Sequence, residues 1–293
     1  MKLKPVKASP LLAEAAALAS EAGLELYAVG GCARDWALGL PGEDVDFLVS
    51  GDAAPLAERL AAAHGGKWQK FGPFQTLRYF PAAGGRLDFA RFRRETYDRP
   101  AALPRTEPAG SVEEDLKRRD FACNAMAVRL DGADPYGLVD PFDGLSDVKS
   151  GVLRVLHAKS FEDDPTRLYR AARFAGRLGW KLDPATRAAA EAAVKAGAPG
   201  LLSRERLRNE LVKILSEQDP LPALGLLKEL GALAFIHPKF DYGPDLPQGT
   251  EERLAAIARR MGQAGADFLA GLNLSKKDRA RLSDMAGLGG ARG

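Results

Sequence analysis

The sequence predicts an α+β chain: an N-terminal head with a small mixed sheet, followed by an all-helical neck and body. Three observations predict it. The first half alternates short helical and β-patterned pieces punctuated by glycine, nearly every segment from Pro165 onward carries helical periodicity, and 293 residues give a prior of about two domains. A composition of 46% hydrophobic and 28% charged residues is that of a globular chain able to bury a core without staples. The 42 basic and 39 acidic side chains nearly cancel, to a net charge of +3. That balance excludes a strongly basic packaging protein and an acidic solvating tail, and it leaves room for a local phosphate-binding face.

The elements follow in order. Leu11–Ala22 has apolar residues at helical spacing and ends at Gly23, a C′ glycine. Leu24–Val29 reads as a strand stopped by Gly30-Gly31, Ala33–Leu38 as a short helix closed by Gly39, and Val45–Val49 as a second strand. A helix over Ala54–Ala63 ends at Gly65-Gly66. Three β-patterned pieces follow at Lys67–Phe71, Thr76–Phe80 and Arg86–Phe92, the last two joined as a hairpin through Ala82-Ala83-Gly84-Gly85. The stretch holding Pro100, Pro104 and Pro108 has few apolar anchors and is expected as a loop, functional or merely connecting. Helices are expected over 165–178, 184–196, 204–216, 220–230, 251–261 and 275–284, with Gly287–Gly293 as a frayed end. The expected division is 1–150 as head, 151–216 as neck and 217–293 as a helical body with a shortened tail.

Cys32 and Cys123 stand alone, and the only histidines are His64, His157 and His237. This usage excludes a disulfide framework and a Cys/His zinc site, and it fits a reducing cytoplasm. No apolar run approaches the ~20 residues that span a bilayer, and no secretory leader is evident. A cytoplasmic protein with no membrane partner is expected.

Chemistry concentrates at a few positions. A strand ending in Gly30-Gly31 with a helix behind it exposes backbone N–H groups that can cradle phosphate, and Arg34 can add a bidentate contact. The same residues serve equally as a plain strand–helix turn. In Asp44-Val45-Asp46, strand alternation puts both carboxylates on one face, about 6.5–7 Å apart at Cα. Such hard oxygen ligands suit Mg²⁺, while a pair of solvated edge acids is the ordinary alternative. Asp88, in a neighbouring β piece, is a candidate third carboxylate. Asp164 and Arg167 stand three apart, which on a helix gives them one face. Together they can offer an acceptor and a donor to a base; an N-cap before Pro165 or a surface ion pair are the other readings. Arginine and lysine groups on successive helices (Arg204/Arg206/Arg208, Arg259/Arg260, Lys276/Lys277/Arg279/Arg281) either track a nucleic-acid backbone or are solvated helix faces.

Arg118-Arg119-Asp120-Phe121-Ala122-Cys123-Asn124-Ala125 resembles the RRDFTxNA motif of class II tRNA nucleotidyltransferases (CCA-adding enzymes) and the related bacterial poly(A) polymerases. Val29–Asp35 is similar to that family's VGGxVRD motif, and Asp44 and Asp46 to its catalytic pair. Asp140–Gly144 with Asp147, Glu162–Arg167 and Arg204–Glu210 resemble its later motifs, in the family's order. The resemblance implies a polymerase-beta-like nucleotidyltransferase head. Asp44 and Asp46, with Asp88, would hold two Mg²⁺, and the 3′-OH of tRNA would attack the α-phosphate of CTP or ATP with release of pyrophosphate. By the same resemblance Gly30, Gly31 and Arg34 hold the leaving pyrophosphate, and Arg118, Arg119 and Asp120 surround sugar and triphosphate. Asn124 is placed near the ribose, the pair Asp164 and Arg167 selects the base, Arg170 and Arg173 reach phosphates or RNA, and Arg206 supports the nucleotide pocket.

A CC-adding or A-adding specialist, a poly(A) polymerase and a non-catalytic RNA-binding relative are the alternatives. The sequence departs from the family at Asp163, where a glutamate is usual, at Ala122-Cys123, and in the loop Asp98–Gly110. At 293 residues the chain is also short for this family.

Overall fold

A computed structural model describes residues 1–7, 9–41, 45–71 and 76–288. They form two units, one of Met1–Asp98 with Pro104–Leu156 and one of Arg99–Leu103 with His157–Gly293.

In the first unit, the Ser9 hydroxyl accepts from Leu12 N at 3.3 Å and caps helix α1 (Pro10–Glu21), with Pro10 as its first residue. Gly23, at φ +65°, turns the chain towards β1 (Leu26–Val29), whose residues are all buried. Helix α2 (Gly31–Ala37) starts directly after Gly30, earlier than the sequence predicts. Strand β2 (Asp46–Val49), helix α3 (Ala54–His64) and strands β3 (Lys67–Phe71), β4 (Thr76–Phe80) and β5 (Leu87–Arg91) follow.

The expected strand Arg86–Phe92 breaks at Phe92, and β6 (Arg93–Thr96) pairs antiparallel with β7 (Arg105–Pro108). The proline-rich stretch is therefore partly strand. Pro108 sits at the ribbon's end opposite Arg93, where a missing N–H costs least. Arg94 donates to Glu107 across the ribbon at 2.7 and 2.9 Å, so charge replaces the apolar anchors that sequence inspection looks for. Helix α4 (Val112–Leu116), strands β8 (Ala127–Arg129) and β9 (Leu138–Val139), and helix α5 (Gly144–Ser150) complete the unit.

Seven strands form one mixed sheet in the order β3-β4-β5-β2-β1-β8-β9. Within it β2 and β5 run parallel, with Asp46 beside Asp88 and Phe47 beside Phe89. The two rings stack with centroids 4.8 Å apart and planes 14° apart, an arrangement worth about 0.5–1.5 kcal/mol beyond its buried area. Because successive side chains alternate, the rings and the carboxylates leave opposite faces. On the carboxylates' face, Tyr27, Val29, Leu48, Phe92, Val112 and Leu116 make an apolar core.

The second unit is helical: α6 (Ser160–Asp163), α7 (Thr166–Leu178), α8 (Pro184–Lys195), α9 (Arg204–Leu215), α10 (Leu221–Glu229), α11 (Thr250–Arg260), α12 (Gln263–Gly271) and α13 (Lys276–Met285). Sequence inspection misses α12. Its Gly265 abuts α11 so closely that a Cβ there would lie 1.9 Å from the Ala258 carbonyl oxygen. Small residues that allow this approach also erase the apolar stripe by which a helix is recognised. Of the glycine-rich end, residues 289–293 lie outside the described set. Among the described residues no helix is long and apolar enough to cross a membrane.

Arg253 is 4% exposed and knots this unit together. Its guanidinium donates to the carbonyls of Leu215 (2.7 Å), Glu217 (2.6 Å), Gln218 (3.0 Å) and Pro247 (2.8 Å), and so satisfies the end of α9. Arg253→Met is expected to cost at least about 2 kcal/mol of stability, because it strands buried acceptors. Urea denaturation of the full chain checks this.

Candidate active site

The first unit carries a cleft of about 220 Å³ lined by Asp46, Thr76, Asp88, Arg93, Arg118 and Arg119, over Val29, Phe47, Leu48 and Ala90. Asp46 begins its strand and is exposed. Asp88 is 12% exposed, and Arg78 grips its two oxygens at 2.7 and 3.1 Å while Arg86 approaches at 3.2 Å. The hydrogen bond to Asp88 raises the Arg78 pKa above its ordinary value, with the Asp46 charge adding to the effect. The Asp88 charge is thus largely balanced within the sheet. Asp44 lies outside the described residues.

The arginine wall of the cleft is held from behind by Asp115, which is 0% exposed. Its Oδ2 accepts from Arg118 Nε (3.0 Å) and Arg93 N (3.1 Å), and its Oδ1 from Arg118 Nη2 (3.1 Å) and Arg119 Nη2 (3.2 Å). Glu95 Oε1 accepts from Arg118 Nη1 at 2.9 Å and from Arg93 Nε at 3.1 Å. Burial lowers the pKa of Arg119 and of Arg93, with the neighbouring Arg118 charge acting the same way. Sequence reasoning passed over Asp115. Its spacing of three and four residues from the arginine pair was the signal available.

Gly30 closes the cleft's neighbourhood. It adopts φ +70°, and a Cβ there would stand 2.9 Å from Arg119 Nη1, so only glycine meets both demands. Arg34, Asp120 and Asn124 form a buried network just behind. Arg34 is 2% exposed and donates to Asn124 Oδ1 (2.7 Å) and to Asp35 Oδ1 (3.0 and 2.7 Å). Asn124 in turn donates to Asp120 Oδ1 at 3.1 Å, which also accepts from Phe121 N at 2.9 Å. Sequence inspection aims Arg34 at phosphate and Asn124 at a ribose. In the structure Arg34 and Asn124 bond to each other, Arg34 also to Asp35 and Asn124 also to Asp120, as burial of polar groups requires. Cys32 and Cys123 lie buried beside them, and burial pushes the Cys123 thiol up to about 12 and the Cys32 thiol higher still. Both stay protonated and apolar in behaviour. Asp140 accepts from Gly144 N (2.7 Å) and Leu145 N (2.9 Å), so the Asp140–Gly144 turn starts α5.

In the second unit, Asp164 does not share a helix face with Arg167. Its backbone is extended (φ −134°, ψ 92°), and α7 begins only at Thr166. The helical spacing argument therefore fails there. Asp164 Oδ1 instead accepts from Thr166 N (3.0 Å), Thr166 Oγ1 (2.6 Å) and Arg206 Nη2 (2.7 Å). Arg167, 5% exposed, donates to Ser160 Oγ at 2.7 Å. Arg206 Nη1 also donates to Ala101 O at 2.9 Å, and Ala101 N donates to Asp163 O at 3.2 Å. The guanidinium groups of Arg170, Arg173 and Arg177 surround the Phe174 ring at 5.4, 4.8 and 5.2 Å, and Arg173 pairs with Glu217 at 3.2 Å.

Several arginines of the suggested nucleic-acid stripes are occupied at home. Arg204, Arg208 and Arg259 donate to the carbonyls of Phe235, Asn273 and Met285, while Arg260 pairs with Asp241 and Arg281 with Glu251.

A mixed sheet with an exposed aspartate in register with a second, facing an arginine wall, defines the head of a nucleotidyltransferase. Residues 26–154 match the family described as "Poly A polymerase head domain", and residues 179–243 match "Probable RNA and SrmB-binding site of polymerase A". The chain is 44% identical over 225 residues to the A-adding tRNA nucleotidyltransferase of Aquifex aeolicus, covering 77% of this chain and 27% of that protein. It is 32% identical over 273 residues to the multifunctional CCA protein of Neisseria gonorrhoeae, covering 89% and 62%. A solved tRNA nucleotidyltransferase complexed with a primer tRNA and an incoming ATP analog superposes with a TM-score of 0.70 at 35% identity, over 94% of this chain and 80% of that one. The chain belongs to the family of class II tRNA nucleotidyltransferases (CCA-adding enzymes) and bacterial poly(A) polymerases. It spans 27% and 62% of the lengths of the two curated relatives just named.

Arg34→Met is expected to lower stability by about 1–3 kcal/mol, because it leaves Asn124 Oδ1 buried without this donor. The shift in melting temperature measures it.

Proposed function

We propose that the chain transfers a nucleotidyl group from ATP or CTP to the 3′-OH of tRNA and releases pyrophosphate. The observation that carries this reading is the exposed Asp46 set in register beside Asp88 and facing Arg118 and Arg119. The donor set fits a hard cation: the acids at the cleft offer only oxygen ligands, as Mg²⁺ requires. Asp46 and Asp88 would hold it, together with Asp44 two residues before Asp46 in the sequence. When bound, Mg²⁺ neutralises triphosphate charge and favours ionisation of an attacking hydroxyl.

The remaining work falls to the protein. Arg118 and Arg119 supply fixed positive charge for the triphosphate, and the absence of a side chain at Gly30 keeps Arg119 in place. Arg34, Asn124 and Asp120 hold one another in a buried network that begins at α2 and ends beside Phe121. In the second unit, Asp164 and Arg206 present a pre-paired acceptor and donor for a base edge, with Arg167 alongside. No covalent enzyme intermediate is needed. Two buried free thiols and a tRNA substrate fit a reducing cytoplasm.

Addition of the terminal A is the favoured specificity, because the Aquifex A-adding enzyme is the more similar of the two curated relatives described, at 44% against 32% identity. The test offers tRNA ending at the discriminator base, at C or at CC, with CTP and ATP supplied separately in Mg²⁺. Incorporation of A on the CC-ending tRNA alone is expected. Ordered C and A addition would make it a full CCA-adding enzyme, and extension of any RNA by many A residues a poly(A) polymerase. No incorporation on any substrate would refute the reading. Asp46→Ala is expected to lower the rate by a factor on the order of 10³ with little change in melting temperature, since the residue is exposed. Asp164→Ala is expected to bring the ATP-to-CTP preference towards unity while leaving tRNA affinity unchanged, which competition between the two nucleotides measures.

A further inference from the structure

Asp115 is the most deeply buried acid around the cleft, yet it is not among the residues that line it. Its carboxylate accepts four hydrogen bonds, all from the wall: two from Arg118, one from Arg119 and one from the Arg93 amide. That fills the roughly four lone-pair positions of a carboxylate, so Asp115 has no capacity left for a ligand of its own. Arg119 itself points to a ligand. Its Nε is buried with no hydrogen-bond partner among the described residues, although its side chain lines the cleft. A buried guanidinium with an unmet donor is suited to receive an anion.

We propose that Asp115 is a positioning residue that locks Arg118 and Arg119 into one rigid pair, and so sets affinity for the triphosphate and pyrophosphate moiety rather than the choice of base. This rests on the nucleotidyl-transfer reading. An ordinary helix ion pair would be solvated and worth little. Asp115 is neither exposed nor limited to one partner, and it binds through both oxygens.

The experiment measures binding of inorganic pyrophosphate and the KM for ATP, in Mg²⁺, for the wild-type chain, Asp115→Asn and Asp115→Glu. In Asp115→Asn the dissociation constant for pyrophosphate and the KM for ATP are expected to rise together by about 10- to 100-fold, the loss seen when the partner that orients a metal ligand is removed. KM for tRNA and the ATP-to-CTP preference stay unchanged. Asp115→Glu, which keeps the charge, is expected to recover part of the loss. Unchanged pyrophosphate binding in a folded Asp115→Asn chain would overturn the assignment. So would a collapse of melting temperature in both variants, which would mark Asp115 as a folding residue. A wild-type chain that neither incorporates nucleotide nor binds pyrophosphate would instead refute the nucleotidyl-transfer reading.

Discussion

The parallel register of β2 against β5 is the constraint on which the site depends. It places Asp46 beside Asp88, and it holds because Phe47 stacks on Phe89 one residue further along, on the sheet's other face. A slip of β2 by one residue would turn Asp46 to the face of the rings and Phe47 away from Phe89, at the cost of the stack and of a desolvated acid. The apolar core therefore fixes the position of the acids without touching them. Arg78, opposite Asp88 on β4, then balances one of the two charges. Asp46 itself is exposed at the strand's start.

The second theme is internal neutralisation. The small net charge of +3 conceals arginines that are mostly spent inside the fold. Arg34 serves Asn124 and Asp35, Arg253 serves four carbonyls, and Arg206 serves Asp164 and Ala101. Guanidinium suits this role because its planar fork of donors can satisfy several acceptors at once. A basic stripe read from sequence is thus a poor guide to nucleic-acid contact, because capping and ligand binding use the same side chain. Arg118 and Arg119 differ from the others: they are anchored from behind and line the cleft.

Much of this was legible in the sequence. Glycine and proline punctuation located strands β1 to β5 and nearly all the longer helices, though not β8 or β9, and the β pattern placed Asp88 on a strand of its own. What was missed has physical reasons. The β6–β7 ribbon is held by cross-strand charge rather than an apolar pattern, and α12 replaces its apolar stripe with small residues. Asp164 stands outside the helix whose spacing was used to read it, because Pro165 and Thr166 start that helix after it. Asp115 escaped notice because its importance lies in burial, which residue type does not reveal. Motif likeness could not give the division between residues that line the cleft, such as Arg118 and Arg119, and buried ones such as Arg34 and Asn124.

The central proposal is that Asp46 and Asp88, fixed by strand register, would hold a divalent cation facing the arginine wall. Electron paramagnetic resonance of Mn²⁺ titrated into the full chain with ATP tests it most directly. The account expects bound Mn²⁺ in the wild-type chain and loss of that binding in Asp46→Asn, with the fold intact by circular dichroism. Equal Mn²⁺ binding by the two proteins would contradict it.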